Sequence, residues 1–543
     1  PLTRPPRAQG GPTMLETLAG TGSLIRLGVR RDRLLLSLWV LAFAVMAGSS
    51  ASAGAGLFPD MASRIEAART INATASMVAL FGRVYDPTSL GALSLIKYTA
   101  FMTACLAALM VFVMIRHTRA DEESGRLELL SGGRLGRNAS LAAALVITFG
   151  ASIALGLLTA AALAASGLPA AGSLAFGLGW ATTGMAFSAV AGVTAQLTTS
   201  SRAATGLGIV VIAVTYVLRA VGDLAQPGPS ALSWLSPIGW NQQIRAYAGD
   251  QWWVLLLPLT LCVVVVPAAF VLRARRDLGA GLREERPGPA SGALSGVWDL
   301  AVRLQNRALA AWAVSFVIFG FVIGSLENNV SQFLTSPNAQ DLIKKLGGAQ
   351  ALTDAFLAAE IAIMGIIAAA YGLAAVNHLR SEEAAGHTEA LLGTATTRTR
   401  WASSHFGAAL AGVALLMLLG GLSIGIGAAL ALHDGSQVGR VTVASMAQVP
   451  AAWVISSAVL TVFGWAPRLT AWLWGLLAVF VALGEFGVLW HAPQWLMDLS
   501  PFQHSPLLPV GSGAVLSLVA LTLTAAVLAA LGYLGWRRRD LTA

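Results

Sequence analysis

The residues best suited to polar chemistry are concentrated in two short stretches, each flanked by long apolar runs. The first, RADEESGRLELLSGGRLGR, spans Arg119–Arg137; the second, NHLRSEEAAGHTEALLGTATTRTR, spans Asn377–Arg400. An offset of 261 residues lays one on the other: His117 on His378, Arg119 on Arg380, Glu122 on Glu383, Gly125 on Gly386, Glu128 on Glu389 and Arg137 on Arg398. On a helix, Arg119 and Glu122 are neighbours, as are Arg380 and Glu383. Asp121 and Glu128 share a face, as do Glu382 and Glu389, so each stretch reads as a short helix with an acidic ridge. A basic return follows each ridge (Arg134 and Arg137; Arg398 and Arg400). Carboxylates so placed accept charge-assisted hydrogen bonds from arginines or helix N-termini of another protein. The ordinary alternative is a solvated charge run. Recurrence at equivalent places in a chain otherwise poor in charge favours docking.

The elements that must position these loops are membrane spans. The chain has 543 residues, 56% hydrophobic and only 11% charged, whereas a soluble domain is nearer a quarter charged. Twelve runs are long and apolar enough to cross a bilayer: about 34–56, 92–115, 141–166, 173–197, 204–222, 252–272, 308–326, 354–377, 405–431, 441–463, 470–490 and 513–535. With the N-terminus in the cytoplasm, the inside segments hold 26 of the 35 Lys and Arg. The net charge of +9 is therefore a topology signal rather than a nucleic-acid patch. Cys105 and Cys262 lie inside apolar runs and form no disulfide framework. The first run is too long for the h-region of a cleaved leader, and Met14 reads as the natural start; residues 1–13 read as disordered.

The repeat organises the whole chain. Leu235–Pro237 and Leu499–Pro501 both read LSP, and Arg202 after span 4 pairs with Arg468 after span 10. The expected fold is an all-α polytopic membrane protein of 12 transmembrane helices. Its two tandem six-helix halves would be related by a pseudo-two-fold along the membrane normal. The expected parts are a cytoplasmic tail and interfacial helix (1–33), a first six-span half (34–272), a cytoplasmic linker with a second interfacial helix (273–307) and a second half (308–543). The interfacial helices, Met14–Arg33 and Ala293–Arg307, mix apolar and basic residues. Asp60–Gly82 and Ser331–Leu352 read as short helices after each first span. Trp234, Trp240, Trp252, Trp253, Trp490 and Trp495 read as an outer interfacial belt.

Leu130–Arg134 reads LSGGR, close to the LSGGQ with which ATP-binding-cassette ATPases grip nucleotide. Such a motif works beside a phosphate-binding loop, G-x-x-x-x-G-K-[ST]. None occurs, the chain has three lysines, and the repeat copy reads LLGTA. The pentapeptide is a coincidence, and the chain is not expected to bind nucleotide. Histidines are scattered, H-E-x-x-H is absent, and no nucleophile triad can be argued, which speaks against a membrane enzyme.

The pattern Arg-x-Asp/Glu-Glu-x-x-Gly-x-x-Glu-Leu-Leu after the second span of a twelve-span, Ala/Gly/Arg-rich chain resembles the fused permeases of bacterial ABC exporters of the ABC-2 type. The nearest group is the actinobacterial one for export of polyketide antibiotics and multiple drugs, the tetronasin-resistance-like permeases. The resemblance covers nearly the whole chain. It implies a type V exporter fold, a bacterial plasma-membrane location with cytoplasmic termini, and export of amphiphilic drugs. It also implies a separately encoded, homodimeric ATP-binding subunit, carrying ATP and Mg, docked on 116–137 and 377–400. The residues carried over are Arg119, Asp121, Glu122, Glu123, Gly125, Glu128, Arg137, Arg380, Glu382, Glu383, Gly386, Glu389 and Arg398. The second copy departs from the first: Ala384 stands for Glu123 and Thr388 for Leu127, so the docking surfaces need not be equivalent.

Ionisable residues at membrane depth are costly and point to function. Four qualify: Lys97, Arg219, Glu360 and Glu485. Near-matching positions of the halves carry opposite signs, so Lys97 is expected to approach Glu360, and Arg219 to approach Glu485, as a gate. The alternative is snorkelling to the outer headgroups. Tyr98, Phe101, Met102, Met364 and Tyr371 are candidates to line an adaptable apolar substrate cavity. The competing functional class is a proton-coupled secondary multidrug transporter, which also has two six-span halves. Its usual mid-membrane acids are nearly missing here.

Overall fold

The computed structural model describes residues 17–131, 135–225, 230–277, 279–282, 295–325, 349–486, 493–506, 508 and 514–541, and all regular structure among them is helical. Gly132–Arg134, Trp490, residues 1–13 and most of the expected 331–352 helix lie outside the described residues. So does the side chain of Glu485. Contacts divide the chain into two compact units, Pro1–Gly288 and Pro289–Ala543.

Unit one runs α1 (Thr21–Leu57), α2 (Met61–Ala73), α3 (Ala75–Phe81), α4 (Leu90–Ser94), α5 (Ile96–Thr99) and α6 (Phe101–Arg116). It continues through α7 (Arg119–Glu123), α8 (Arg126–Ser131), α9 (Ala139–Ala165), α10 (Ala170–Leu197) and α11 (Ser201–Ala225). It closes with α12 (Ala231–Trp234), α13 (Pro237–Gln243) and α14 (Leu256–Ala274). Six of its helical stretches are long and apolar enough to cross a membrane. Unit two runs α15 (Val297–Ser325), α16 (Ala349–Ala384), α17 (His387–Leu392), α18 (Arg398–Leu432), α19 (Ser436–Met446) and α20 (Val449–Trp465). Then come α21 (Trp472–Phe486), α22 (Gln494–Met497) and α23 (Ala514–Arg538). Five stretches qualify here, which makes 11 among the described residues. The expected span over 470–490 is described only to Phe486, with a shorter apolar stretch at Trp472–Val481.

Residues 21–33 and 297–307, expected as separate surface helices, are instead the first turns of α1 and α15. Arginine is a good helix former and does not interrupt a rod. At 37 residues, α1 is about 55 Å long, so its arginine-bearing start projects beyond a hydrocarbon core of about 30 Å. The one acid in that start, Asp32, is buried but held by Arg116 at 2.9 Å and His117 at 2.8 Å. Opposite, Pro59 ends α1 and Asp60 caps α2, accepting from the Ser63 amide at 2.7 Å. Those Ser63 hydrogen bonds, backbone first, hold the Asp60 carboxyl below its usual range.

Small residues set the packing. Gly156 of α9 and Gly177 of α10 meet so closely that a Cβ on either would overlap the other's carbonyl oxygen. In unit two a Cβ on Gly464 of α20 would likewise overlap the Gly532 carbonyl oxygen of α23, and one on Gly532 would meet the Leu460 backbone. Without a hydrophobic drive between helices in lipid, such close backbone contact supplies the packing energy. Trp180 anchors one core of unit one: it is fully buried against Phe43 and Phe176, and its Nε1 donates to the Tyr98 carbonyl at 3.2 Å and Thr103 Oγ1 at 3.0 Å. Trp536 does the same in unit two, packed on Trp401 and Phe463, with its Nε1 donating to the Arg398 carbonyl at 2.9 Å.

Candidate functional site

Both charged stretches fold as elbows. In unit one the Ser124 amide donates to the Ala120 carbonyl at 3.1 Å and the Gly125 amide to the Glu122 carbonyl at 3.0 Å. In unit two, Ala385 donates to Ser381 at 3.1 Å and Gly386 to Glu383 at 3.0 Å. Gly125 and Gly386 have φ of 69° and 75°, the left-handed region that glycine enters without penalty. Each glycine thus ends one helix and redirects the chain into α8 or α17. The expected continuous ridge is corrected here: a left-handed residue between Asp121 and Glu128, and another between Glu382 and Glu389, breaks the helical phase that would align them.

The buried member of the first elbow is Glu122, with its side chain 1% exposed. Arg276 grips both carboxylate oxygens at 2.8 and 2.9 Å, Arg119 adds a bond at 2.9 Å, and Arg273 closes on the same group. Three cations on one carboxylate leave surplus positive charge, which carbonyl and amide oxygens absorb. Arg119 donates to Ala195 and Ala280, each at 3.0 Å, and Arg276 to Gln196 Oε1 at 2.7 Å. Arg137 donates to the Arg276 carbonyl at 2.7 Å. The elbow is therefore clasped to the end of α14.

The second elbow repeats the clasp with other means. Arg539, just past α23, meets Glu383 at 2.5 and 2.7 Å, and Arg398 donates to the Arg539 carbonyl at 2.6 Å. Arg539 also lies 4.7 Å from the Trp536 ring centre and 4.8 Å from that of Phe463. Aligning Arg276 with Arg539 places Arg273 on Trp536. An ion pair in one half is thus replaced by cation–π contact in the other.

The remaining elbow residues divide by direction. Asp121 meets Arg31 at 2.8 Å, and Glu123 accepts from the Ser201 amide at 2.9 Å, capping α11. Glu382 lies between His378 at 3.3 Å and His387 at 3.0 Å, and Arg380 donates to Thr470 Oγ1 at 2.9 Å. Exposed are Arg126, Glu128 and Leu129 in the first elbow, with Leu129 at 85%, and Gly386, His387, Glu389 and Ala390 in the second. So Arg119, Glu122 and Glu383, read from sequence as docking groups, face inward; Arg137 and Arg398 bind the carbonyls that close the clasps. Sequence reading missed Asp32, Arg273 and Arg276 because they fell among arginines counted only as topology signal. The lone acid in Arg30-Arg31-Asp32-Arg33 was the available clue.

At the other end of unit one, Arg219 is fully buried and meets Asp223 at 3.3 Å, one helical turn on. It donates to the carbonyls of Val78, at 3.2 Å, and Ala79. It also lies 4.6 Å from the Tyr216 ring centre. Those carbonyls lie in the last turn of α3, where the helix dipole favours a cation; the Val78 carbonyl also accepts from the Gly82 amide at 3.0 Å, so the guanidinium adds a second donor there. Asp223 also accepts from Ser233 Oγ at 2.7 Å. Asp223, one turn from Arg219 but beyond the apolar run, is the partner that sequence reading overlooked. Lys97 is exposed and Glu360 half-buried.

Tyr98 and Met102 pack against the Trp180 core, with the Tyr98 hydroxyl donating to the Met46 carbonyl at 3.1 Å; Phe101 is half-buried. Met364 and Tyr371 are interior to unit two, Tyr371 edge-on to Trp312. An apolar groove of about 540 Å³ lies elsewhere, between α1 and α9.

Rods of membrane-crossing length, small-residue crossings and charge gathered at rod ends define a multi-pass membrane protein. The chain belongs to the family described as multidrug efflux system permease Rv1217c, C-terminal domain, which matches residues 22–273 and 294–537. It is 41% identical over 526 residues to the multidrug efflux system permease protein Rv1217c of Mycobacterium tuberculosis (strain ATCC 25618 / H37Rv), a match covering 96% of this chain and 95% of that protein. The chain is accordingly a transport subunit of a multidrug efflux system and not an enzyme.

Proposed function

We propose that the chain is the permease of an ATP-driven ABC exporter in the bacterial plasma membrane, with both termini in the cytoplasm. A separate homodimeric ATPase, carrying ATP and Mg, docks on the two elbows, and amphiphilic drugs are the cargo. The observation that carries this reading is the repeated clasp. Each elbow presents exposed residues on one side, while an inward glutamate ties it to the last spanning helix of its own unit. A partner that moves the elbow therefore moves a spanning helix. In the implied cycle, ATP closes the ATPase dimer, the elbows follow, and the units alternate access; hydrolysis resets them. The type V fold, twelve spans and tetronasin-resistance-like grouping belong to this same reading, supported by the repeat and by the efflux function of the relative.

The test is co-purification with a candidate ATPase. Glu128→Arg, Leu129→Arg and Glu389→Arg, all on exposed positions, are expected to leave the permease folded and to abolish capture of the ATPase and drug-stimulated hydrolysis. If capture survives all three, the docking reading is wrong. A chain that stays alone yet moves drug on a proton gradient would be a secondary transporter instead.

A further inference from the structure

The groove between α1 and α9 is lined by Ile25, Val29, Leu36, Val40, Leu41 and Val146 among others, with Ser37 its one hydroxyl. Its floor is low because Gly150, Ala151 and Ala154 of α9 carry at most a methyl group. From Ile25 to Leu41 it runs about 24 Å along the helix, the scale of a lipid acyl chain. The N-terminal half of this stretch carries four arginines and one acid within eight residues, Arg26–Arg33. Two of these charges are used internally: Arg31 on Asp121 at 2.8 Å, and Asp32 on Arg116 and His117. Arg26, Arg30 and Arg33 are exposed and make no hydrogen bond or ion pair with any described residue. Arg33 stands one turn from both Val29 and Ser37, on the groove's own face of α1.

We propose that this groove is a binding site for an anionic phospholipid, its acyl chain laid along α1 and α9 and its phosphate held by Arg33 with Arg26 and Arg30. Apolar length alone would take any lipid. The uncompensated guanidinia along its N-terminal half select for negative headgroups, because planar guanidinium donors match phosphate oxygens.

The test uses the full chain in vesicles of phosphatidylcholine carrying a small fraction of photoactivatable lipid, either phosphatidylglycerol or phosphatidylcholine with a diazirine in the acyl chain. Labelled peptides from α1 and α9 are expected to favour phosphatidylglycerol at least about fivefold, the effect of one cation near an anionic headgroup. Arg26→Gln, Arg30→Gln and Arg33→Gln together should bring the two probes to parity, with the phosphatidylcholine signal unchanged. Arg33→Lys should retain most of the preference. Gly150→Leu with Ala154→Leu, which fills the floor, should lower labelling by both lipids. Equal labelling in the wild type overturns the proposal. So does a preference that survives the triple substitution, or labelling excluded because the second unit of the chain occupies the groove, detected as cross-links from Val29 or Leu36 into residues beyond 288.

Discussion

Arg539 lies along the Glu383 carboxylate with two terminal nitrogens at 2.7 and 2.5 Å, while its guanidinium sits against the rings of Trp536 and Phe463. Its counterpart, Arg276 on Glu122, has no ring against it among the described residues and shares its carboxylate with Arg119 and Arg273. The two clasps hold the same parts of the chain by different physics, and they respond differently to substitution.

Glu122→Ala leaves three buried or nearly buried guanidinia without the carboxylate they share. Breaking a buried pair on one side costs about 3–5 kcal/mol, and this variant is expected at the top of that range. Glu383→Ala releases Arg539, which keeps its aromatic contacts and an edge toward solvent, so its loss is expected to be smaller. Unfolding temperatures of the purified single variants in detergent decide the ranking; equal losses would refute the distinction.

Trp536→Ala removes the platform under Arg539 together with the core contacts to Trp401 and Phe463. A loss of about 3–5 kcal/mol is expected for a buried aromatic. Trp536→Phe keeps a ring face but loses the bond to the Arg398 carbonyl, and should recover more than half of that stability. Recovery is read from the same melts.

Gly125→Ala and Gly386→Ala meet no steric obstacle among the described residues, since none lies within 4 Å of a Cβ built at either site. Their cost is conformational, about 1–2 kcal/mol for a residue with a Cβ in the left-handed region. Asparagine, which tolerates that region better, should cost less at both. If alanine is neutral at both sites, the elbows do not depend on left-handed backbone.

Arg219→Met and Asp223→Asn break the same pair unequally. Without Asp223 charge, Arg219 still has the α3 carbonyls; without Arg219, a buried carboxylate keeps, among the described residues, the Ser233 hydroxyl, and the last turn of α3 loses its cation. Arg219→Met is expected to be the more destabilising by at least about 1 kcal/mol. The double variant should fall short of the sum of the singles, as in any directly coupled pair. An additive result would mean that the two residues do not interact in the folded protein.

The helical class, the positions of most spans and the recurrence of the elbow were legible from residue type and spacing. Apolar runs and glycines act locally, and Gly125 and Gly386 mark the same bend twice. Direction was not legible. Glu122 and Glu128 look alike in sequence, yet one is buried under three arginines and the other is exposed. That difference comes from Arg273 and Arg276, more than 140 residues away in the chain, and no local pattern connects them. The break in the ridge was missed because helical phase was carried across a glycine that ends the helix. Arg219 found a partner one turn away because the C-terminus of α3 draws a cation, an effect of tertiary placement.

The helix clasped by the first elbow, α14, contains Pro267, whereas α23, clasped by the second, contains no proline. Proline removes one backbone bond and wedges the turn before it, so α14 has a built-in joint at mid-length and α23 is a continuous rod. On the proposed reading, an equal displacement at the two elbows is then delivered unequally at the far face of the membrane: bent and damped through one unit, straight through the other.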